Sequence, residues 1–259
     1  MSTIRTQNDG AVRHVIFARE EKRNAMSMQF IADLDSALLD AQTDSSVRCV
    51  VISGDGPMFS AGIDIEALND FSGGIDRLRP TRDAMIRCFN RCEEMTKPVI
   101  VQAHGAVIGA AMELALACDM RICTEETVWS LPEVKIGLIP DVGGSARLPA
   151  VVGLGRAKEL IMTGKLIDGR EAERIGLANK AVPAAQLEEA TQALVGELLA
   201  CAPIAVGLAK RVLDGIAKPA LALNLEHEVT AQTVCAATAD FVEGATAVKE
   251  RRQPVFKGV

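Results

Sequence analysis

Residues 97–123 read KPVIVQAHGAVIGAAMELALACDMRIC. Pro98–Ala103 is a short continuous apolar run, as in a strand buried on both faces. Gly109–Cys118 is apolar at helical length and carries a single charge, Glu113. Met120–Cys123 reads as a second strand. Strand, helix and strand in so short a span indicate parallel strands joined by a crossover, and with them an α/β architecture.

The same alternation extends outward. Val12–Ala18 is rich in Val, Ile and Phe and reads as a strand. Met28–Ala41 places Phe30, Ile31, Leu34 and Leu38 at helical spacing, with Ser27 as N-cap. Cys49–Ser53 is another buried strand, stopped by the turn Gly54-Asp55-Gly56-Pro57. A helix is predicted around Thr81–Met95. The stretch before it, Asn69–Pro80 with Gly73-Gly74, is predicted to be a mobile loop. From about Pro183 the pattern is helical only, over Leu187–Leu199, Pro203–Leu213 and Leu221–Val242. The organisation expected is an α/β core over residues 1–195 and a helical region over 196–259.

Composition narrows the function classes. The chain has 259 residues, 49% hydrophobic and 24% charged, as in an ordinary globular protein. Its net charge is −6, aromatic residues make up 3%, and there is no Tyr. Nucleic-acid and membrane-surface binders need an excess of Lys and Arg. Met1–Gly10 is polar and reads as neither signal peptide nor anchor. No apolar run is long enough to span a bilayer. The seven cysteines, at 49, 88, 92, 118, 123, 201 and 235, fit free thiols in a reducing compartment. Cys88 and Cys92 are four apart, but His14, His104 and His227 are distant in sequence, so no metal site is expected. The cysteines read as small buried apolar residues.

Three segments could carry chemistry. Glu113 lies in a helix apolar on all faces, so its carboxylate is buried, either as a satisfied core group or as a functional one. Gly109, Ala110 and Ala111 at the start of that helix leave backbone N–H groups open to a ligand that gains negative charge. Met58–Ile65 also exposes backbone, and by itself reads equally as a tight loop before a helix. Leu131-Pro132-Glu133-Val134 supplies a second carboxylate, which would suit acid–base work beside Glu113 if the two met. Asp141 is either the N-cap of a helix at Val142–Leu148 or a catalytic acid.

Taken in order, these segments resemble the crotonase superfamily, the enoyl-CoA hydratase/isomerase family. The resemblance runs from Lys22-Arg23-Asn24-Ala25-Met26 through Phe59–Ile65, Lys97–Ile100 with His104-Gly105, and Gly109–Glu113. It continues through Leu131-Pro132-Glu133, Asp141–Gly144 with Arg147-Leu148-Pro149, and Thr163-Gly164-Lys165. It closes at Glu250-Arg251-Arg252 with Phe256-Lys257. It implies a spiral of ββα turns forming two roughly perpendicular sheets, followed by helices for assembly as a homotrimer or a hexamer built as a dimer of trimers.

The resemblance also implies an acyl-CoA substrate, with coenzyme A as part of that substrate and no separate cofactor or metal. The backbone N–H groups of Ile63 and Ala110 would form the oxyanion hole. Glu113 would orient or deprotonate the water that adds to the β-carbon, and Glu133 would act as acid toward the α-carbon. Substrate contacts would come from Lys22, Arg23, Ala25, Ala61, Ile63, Asp64, Ile65, Gly109, Phe256 and Lys257. Three departures from the family pattern stand out. Glu20 and Glu21 replace the proline usual before Lys22, Ala110 and Ala111 replace glycines, and Asp141 stands where simple hydratases often carry Gly.

The reading is therefore a cytoplasmic 2-enoyl-CoA hydratase. The alternative is an enoyl- or dienoyl-CoA isomerase using Asp141 and Glu133. Hydrolases and decarboxylases share the superfamily, since membership does not set the reaction. A non-catalytic or RNA-associated relative would be a different class, and the acidic, aromatic-poor composition disfavours it.

Overall fold

The computed structural model describes residues 2–64 and 75–259, with the side chains of 75–77 excepted. Strands β1 (Ile4–Asp9) and β2 (Val12–Phe17) are an antiparallel hairpin. Strands β3 (Cys49–Gly54), β4 (Val99–Ala103), β6 (Met120–Thr124) and β8 (Lys180–Val182) follow beside β2, each paired in parallel with its neighbour. Together they make a six-stranded sheet in the order β1-β2-β3-β4-β6-β8. A smaller sheet pairs β5 (Ala106–Ile108) with β7 (Val128–Ser130) in parallel.

The chain winds between the two sheets. Helix α1 (Met28–Thr43) joins β2 to β3. After β3 the chain crosses to the small sheet, where Ser60 bridges Val107. Helix α2 (Ile75–Glu94) leads back to β4. The next turn runs β4, β5 and α3 (Ala110–Ala117), and the next β6, β7 and a 3₁₀ turn at Glu133–Ile136. This is the spiral of ββα units that the resemblance implied. One face of the large sheet packs on α1, α2 and α3 through residues such as Val15, Phe30, Leu34, Val101 and Leu114.

Helices α4 (Gly144–Val152), α5 (Leu154–Thr163) and α6 (Gly169–Arg174) come next. The chain closes with α7 (Leu187–Leu199), α8 (Pro203–Ala217), α9 (Leu221–Ala236) and α10 (Ala239–Glu250). Helix α7 covers the other face of the sheet, where Leu187, Ala190 and Val195 meet Val51 and Ile100. The division expected at 195/196 falls inside this helix.

Several expectations change. β1 escaped notice because only Ile4 of its six residues is buried, as befits an edge strand. Helix α2 starts at Ile75 and not near Thr81, so residues 75–80 of the expected loop are helical; Asn69–Gly74 lie outside the described residues. Pro80 is the sixth residue of this helix, past the first turn, and the helix accommodates it there with the loss of one backbone N–H bond. The single helix expected over Leu221–Val242 is two, because Thr238 accepts the Phe241 N–H at 3.1 Å and caps α10. Trp129, Phe89 and five of the cysteines are buried.

Candidate active site

A cavity of about 350 Å³ opens between the spiral and the last helices. Its walls are largely apolar, with Met85 from α2, Ile136 and Leu138 at and after the 3₁₀ turn, and Val248 from α10. Three carboxyl side chains line the same space: Glu113, Glu133 and Asp141.

Two backbone donors are built beside them. Ser60 donates its N–H to Ala106 at 3.0 Å and accepts from Ile108 at 3.3 Å, zipping this segment onto β5. Gly62 has φ 87°, and a Cβ there would collide with the Ile108 carbonyl oxygen. The Met26 N–H bonds the Gly62 carbonyl at 2.8 Å and the Met26 carbonyl accepts from Asp64 at 3.0 Å, so Ile63 between them turns its N–H the other way. Gly109 is the N-cap of α3, at φ 55°, and leaves Ala110 as the first helical N–H. Among the described residues neither the Ile63 nor the Ala110 N–H has an acceptor. Both residues line the cavity, and a Cβ on Gly62 would stand 3.5 Å from the Ala110 nitrogen. Two adjacent free donors, one at a helix N-terminus, favour an oxygen that gains negative charge.

Glu113 lies one turn into α3. Its Oε1 accepts the N–H groups of Val142 at 3.0 Å and Gly144 at 2.9 Å. Burial pushes its pKa up to about 7, against the pull of those two N–H groups and of Arg147 and Arg82. Glu133 opens the 3₁₀ turn. A Cβ on Gly109 would stand 2.8 Å from its Oε1, and its buried Oε2 has no hydrogen-bond partner among the described residues. Burial first, and then the neighbouring Glu113 and Asp141, hold its carboxyl well above the usual range. Asp141 is raised likewise by burial, then by Glu113 and Glu228, with Arg82 opposing. Its Oδ2 is also buried without a hydrogen-bond partner. Carboxyls whose protonation is pushed toward neutrality are suited to proton transfer.

Asp141 is not the cap of α4. That helix starts at Gly144, its N-cap is Gly143, and the N–H groups of Gly143 and Ala146 go to Glu228, at 3.0 and 2.7 Å. Glu228, on α9, does the capping from a distance in sequence that local reading does not reach.

With this geometry in place, the comparisons with known proteins are decisive. A sequence model for "Enoyl-CoA hydratase/isomerase" matches residues 7–259. The 2,3-dehydroadipyl-CoA hydratase of Escherichia coli (strain K12) is 32% identical over 93% of this chain and 91% of its own. The peroxisomal Delta(3,5)-Delta(2,4)-dienoyl-CoA isomerase of Arabidopsis thaliana is 30% identical over 99% and 96%. The crystal structure of an enoyl-CoA hydratase from Mycobacterium avium subsp. paratuberculosis K-10 superposes with a TM-score of 0.88 at 28% identity, over 98% of both chains. The chain belongs to the enoyl-CoA hydratase/isomerase family.

In this family member the remaining substrate-contact candidates are placed differently from one another. Ala61, Ile63 and Gly109 line the cavity. Lys22 and Arg23 are exposed, and neither side chain has an ion-pair partner among the described residues. Their loop, with Ala25, is held by buried Asn24, whose amide reaches the Asp55 and Met58 carbonyls at 2.9 and 3.0 Å. The Asp64 carboxylate is engaged by Arg19 at 2.7 Å. Ile65 lies outside the described residues. Phe256 and Lys257 are exposed on the C-terminal tail, away from the cavity lining. The tail is tied to α10 there, where the Lys257 N–H donates to the Asp240 carboxylate at 2.7 Å.

Sequence reading missed Arg82, Lys135, Gln232 and Val248, which line the cavity, and Glu228 behind it. Arg82 sits in a charged run and Glu228 beside Glu226 and His227, so neither stood out as buried.

Proposed function

We propose that this enoyl-CoA hydratase/isomerase family enzyme hydrates a 2-enoyl-CoA thioester. The observation that carries the reading is that Glu113 and Glu133 line one cavity with the free N–H groups of Ile63 and Ala110. The two N–H groups hold the thioester oxygen as the enolate forms. Glu113 takes a proton from the water whose oxygen bonds the β-carbon. Glu133, kept protonated by burial, delivers a proton to the α-carbon. The proton left on Glu113 then returns to Glu133 by way of solvent, and the product is the 3-hydroxyacyl thioester.

The coenzyme A part meets Lys22 and Arg23 at the mouth of the site, and no further cofactor or metal is called for. Ile204, Leu208, Val212 and Ile216 recur every fourth residue of α8 and are all exposed. Such an apolar stripe fits assembly with further copies, as a homotrimer or a dimer of trimers. A cytoplasmic location accompanies this reading.

A second reading, enoyl- or dienoyl-CoA isomerase, is favoured by one feature, the unpartnered Asp141 Oδ2 in the same cavity. Mass spectrometry together with the ultraviolet absorbance of the separated products distinguishes the two. Hydration adds the mass of one water to a 2-trans-enoyl-CoA. Isomerisation of 3-enoyl- or 3,5-dienoyl-CoA moves double bonds without changing mass. A purified protein that leaves all three substrates unchanged would refute both readings.

A further inference from the structure

Among the buried charged side chains that have no part in the steps above are Arg82 on α2 and Glu228 on α9, exposed by 3% and 4%. Charges this deep are costly unless paired and hydrogen-bonded. Arg82 Nε donates to the Asp141 carbonyl at 2.7 Å, and its Nη2 donates to the Leu225 carbonyl. Nη2 also stands 3.8 Å from Glu228 Oε2, and Nη1 stands 3.7 Å from Asp83 Oδ1. The Asp141 carboxyl receives no hydrogen bond from this guanidinium: Arg82 Nε is 3.7 Å from Oδ2. Glu228 meanwhile accepts from Gly143 and Ala146, two residues of the turn that carries the chain from Asp141 into α4.

The geometry points to Glu228 as a positioning residue for Asp141: it fastens Gly143 and the start of α4 from behind, while Arg82 holds the Asp141 carbonyl. Its catalytic meaning rests on the isomerase reading above; its structural content does not. A guanidinium bonded to the carboxyl would favour the carboxylate. With Arg82 hydrogen-bonded to two backbone carbonyls and to neither carboxyl, Asp141 stays a neutral acid that can give a proton to an acyl chain.

The titratable and charged groups facing Asp141 agree with this. Among the described residues they are Glu113 from α3, Glu133 from the 3₁₀ turn, Glu228 and Cys235 from α9, and Arg82 from α2. Burial first, then Glu113 and Glu228, oppose ionisation of Asp141, and Arg82 favours it.

The test is carboxyl ¹³C NMR of the full-length protein labelled at Asp and Glu, titrated from about pH 4 to about pH 9, with Asp141→Asn for assignment. In the unaltered protein Asp141 should stay protonated past the ordinary carboxylate range. Titration within that range overturns the proposal. In Glu228→Gln only one acceptor oxygen remains for the Gly143 and Ala146 N–H groups, the turn loosens, the Asp141 carboxyl can reach Arg82, and its midpoint should fall by about one pH unit or more. An unchanged midpoint overturns the proposal. In Arg82→Met/Glu228→Leu, with the guanidinium gone as well, the midpoint should return toward that of the unaltered protein, which a merely structural role would not produce. If Glu228→Gln does not fold, Glu228→Asp replaces it: the shorter stem loosens the same turn and should lower the midpoint by a smaller amount, and no movement overturns the proposal. These readouts need no substrate, so they stand apart from any failure of the enoyl-CoA reading.

Discussion

Glu113 and Glu228 grip one turn through interleaved backbone donors: Val142 and Gly144 bond Glu113, while Gly143 and Ala146 bond Glu228. Three N–H groups that a helix start leaves unpaired, those of Gly143, Gly144 and Ala146, are thereby satisfied by two buried carboxyl groups, together with the Val142 N–H just before the cap. The same turn carries Asp141 into the cavity. The carboxyl proposed to act on the water and the carboxyl that shapes the loop opposite are joined through the same backbone.

Glu113→Gln and Glu133→Gln should each lower kcat/KM for hydration of a short 2-enoyl-CoA by about 10²–10⁴-fold, the usual contribution of acid–base groups. Gln retains an acceptor for Val142 and Gly144, so melting of Glu113→Gln should remain cooperative. Steady-state loss of enoyl absorbance gives the rates. Activity within about threefold of the unaltered enzyme, about 0.6 kcal/mol, would remove the paired-glutamate mechanism.

Stability should fall as pH rises through neutrality. The Glu113 pKa is raised from 4.5 to about 7 and that of Glu228 from 4.5 to about 8, both chiefly by burial. A carboxyl raised in the folded state stabilises fully below its unfolded value, and that contribution is lost as pH passes the folded value. The window therefore runs from 4.5 to about 8, and each buried group contributes on the order of 3 kcal/mol. Thermal melts at the two ends of the window measure the slope. Glu113→Gln should flatten it, and an equally steep slope in that variant would rule out Glu113 as a source.

Gly62→Ala should abolish most activity. The added Cβ meets the Ile108 carbonyl, and φ 87° is strained for alanine. Relief of that contact moves the Ile63 N–H, and loss of one oxyanion donor costs about 10²–10³ in kcat. The strain itself costs about 1–3 kcal/mol, read as a lower melting temperature. Near-normal kcat would show that the Ile63 donor is dispensable.

Charge placed on the α8 stripe should break the assembly. Ile204→Glu with Leu208→Glu puts carboxylates where two neighbouring exposed apolar side chains now stand. Sedimentation velocity should show the unaltered protein as a multimer and the double variant as a smaller species. A monomeric unaltered protein would leave the stripe without this role.

Much of the site was legible in the residues themselves. Glu113 stood out because α3 is apolar on every side, and all eight of its residues are buried. Gly109 and Gly62 stood out because small residues after a turn expose backbone. Asp141 could not be assigned, because an acid before a helix reads as a cap in any sequence. What decided it was Glu228, whose charge on α9 looks like any solvated residue of an amphipathic helix. β1 was hidden for the opposite reason, since an edge strand with one buried residue carries no apolar alternation.

The sequence by itself determined the alternation of strands and helices, the buried strands β3 and β4, and the apolar helix that holds Glu113. Each depends on local periodicity, which records how much of a segment turns away from water, whereas the spiral followed from the family resemblance. Only the tertiary structure decided that Glu113, Glu133 and Asp141 share one cavity, that Glu228 caps α4, and that Arg82 bonds the Asp141 carbonyl and not its carboxyl. Periodicity states that a face is buried and not what it is buried against. Hydrogen bonds and desolvation act across whatever the fold brings together, and here that includes residues 85 apart, Gly143 and Glu228.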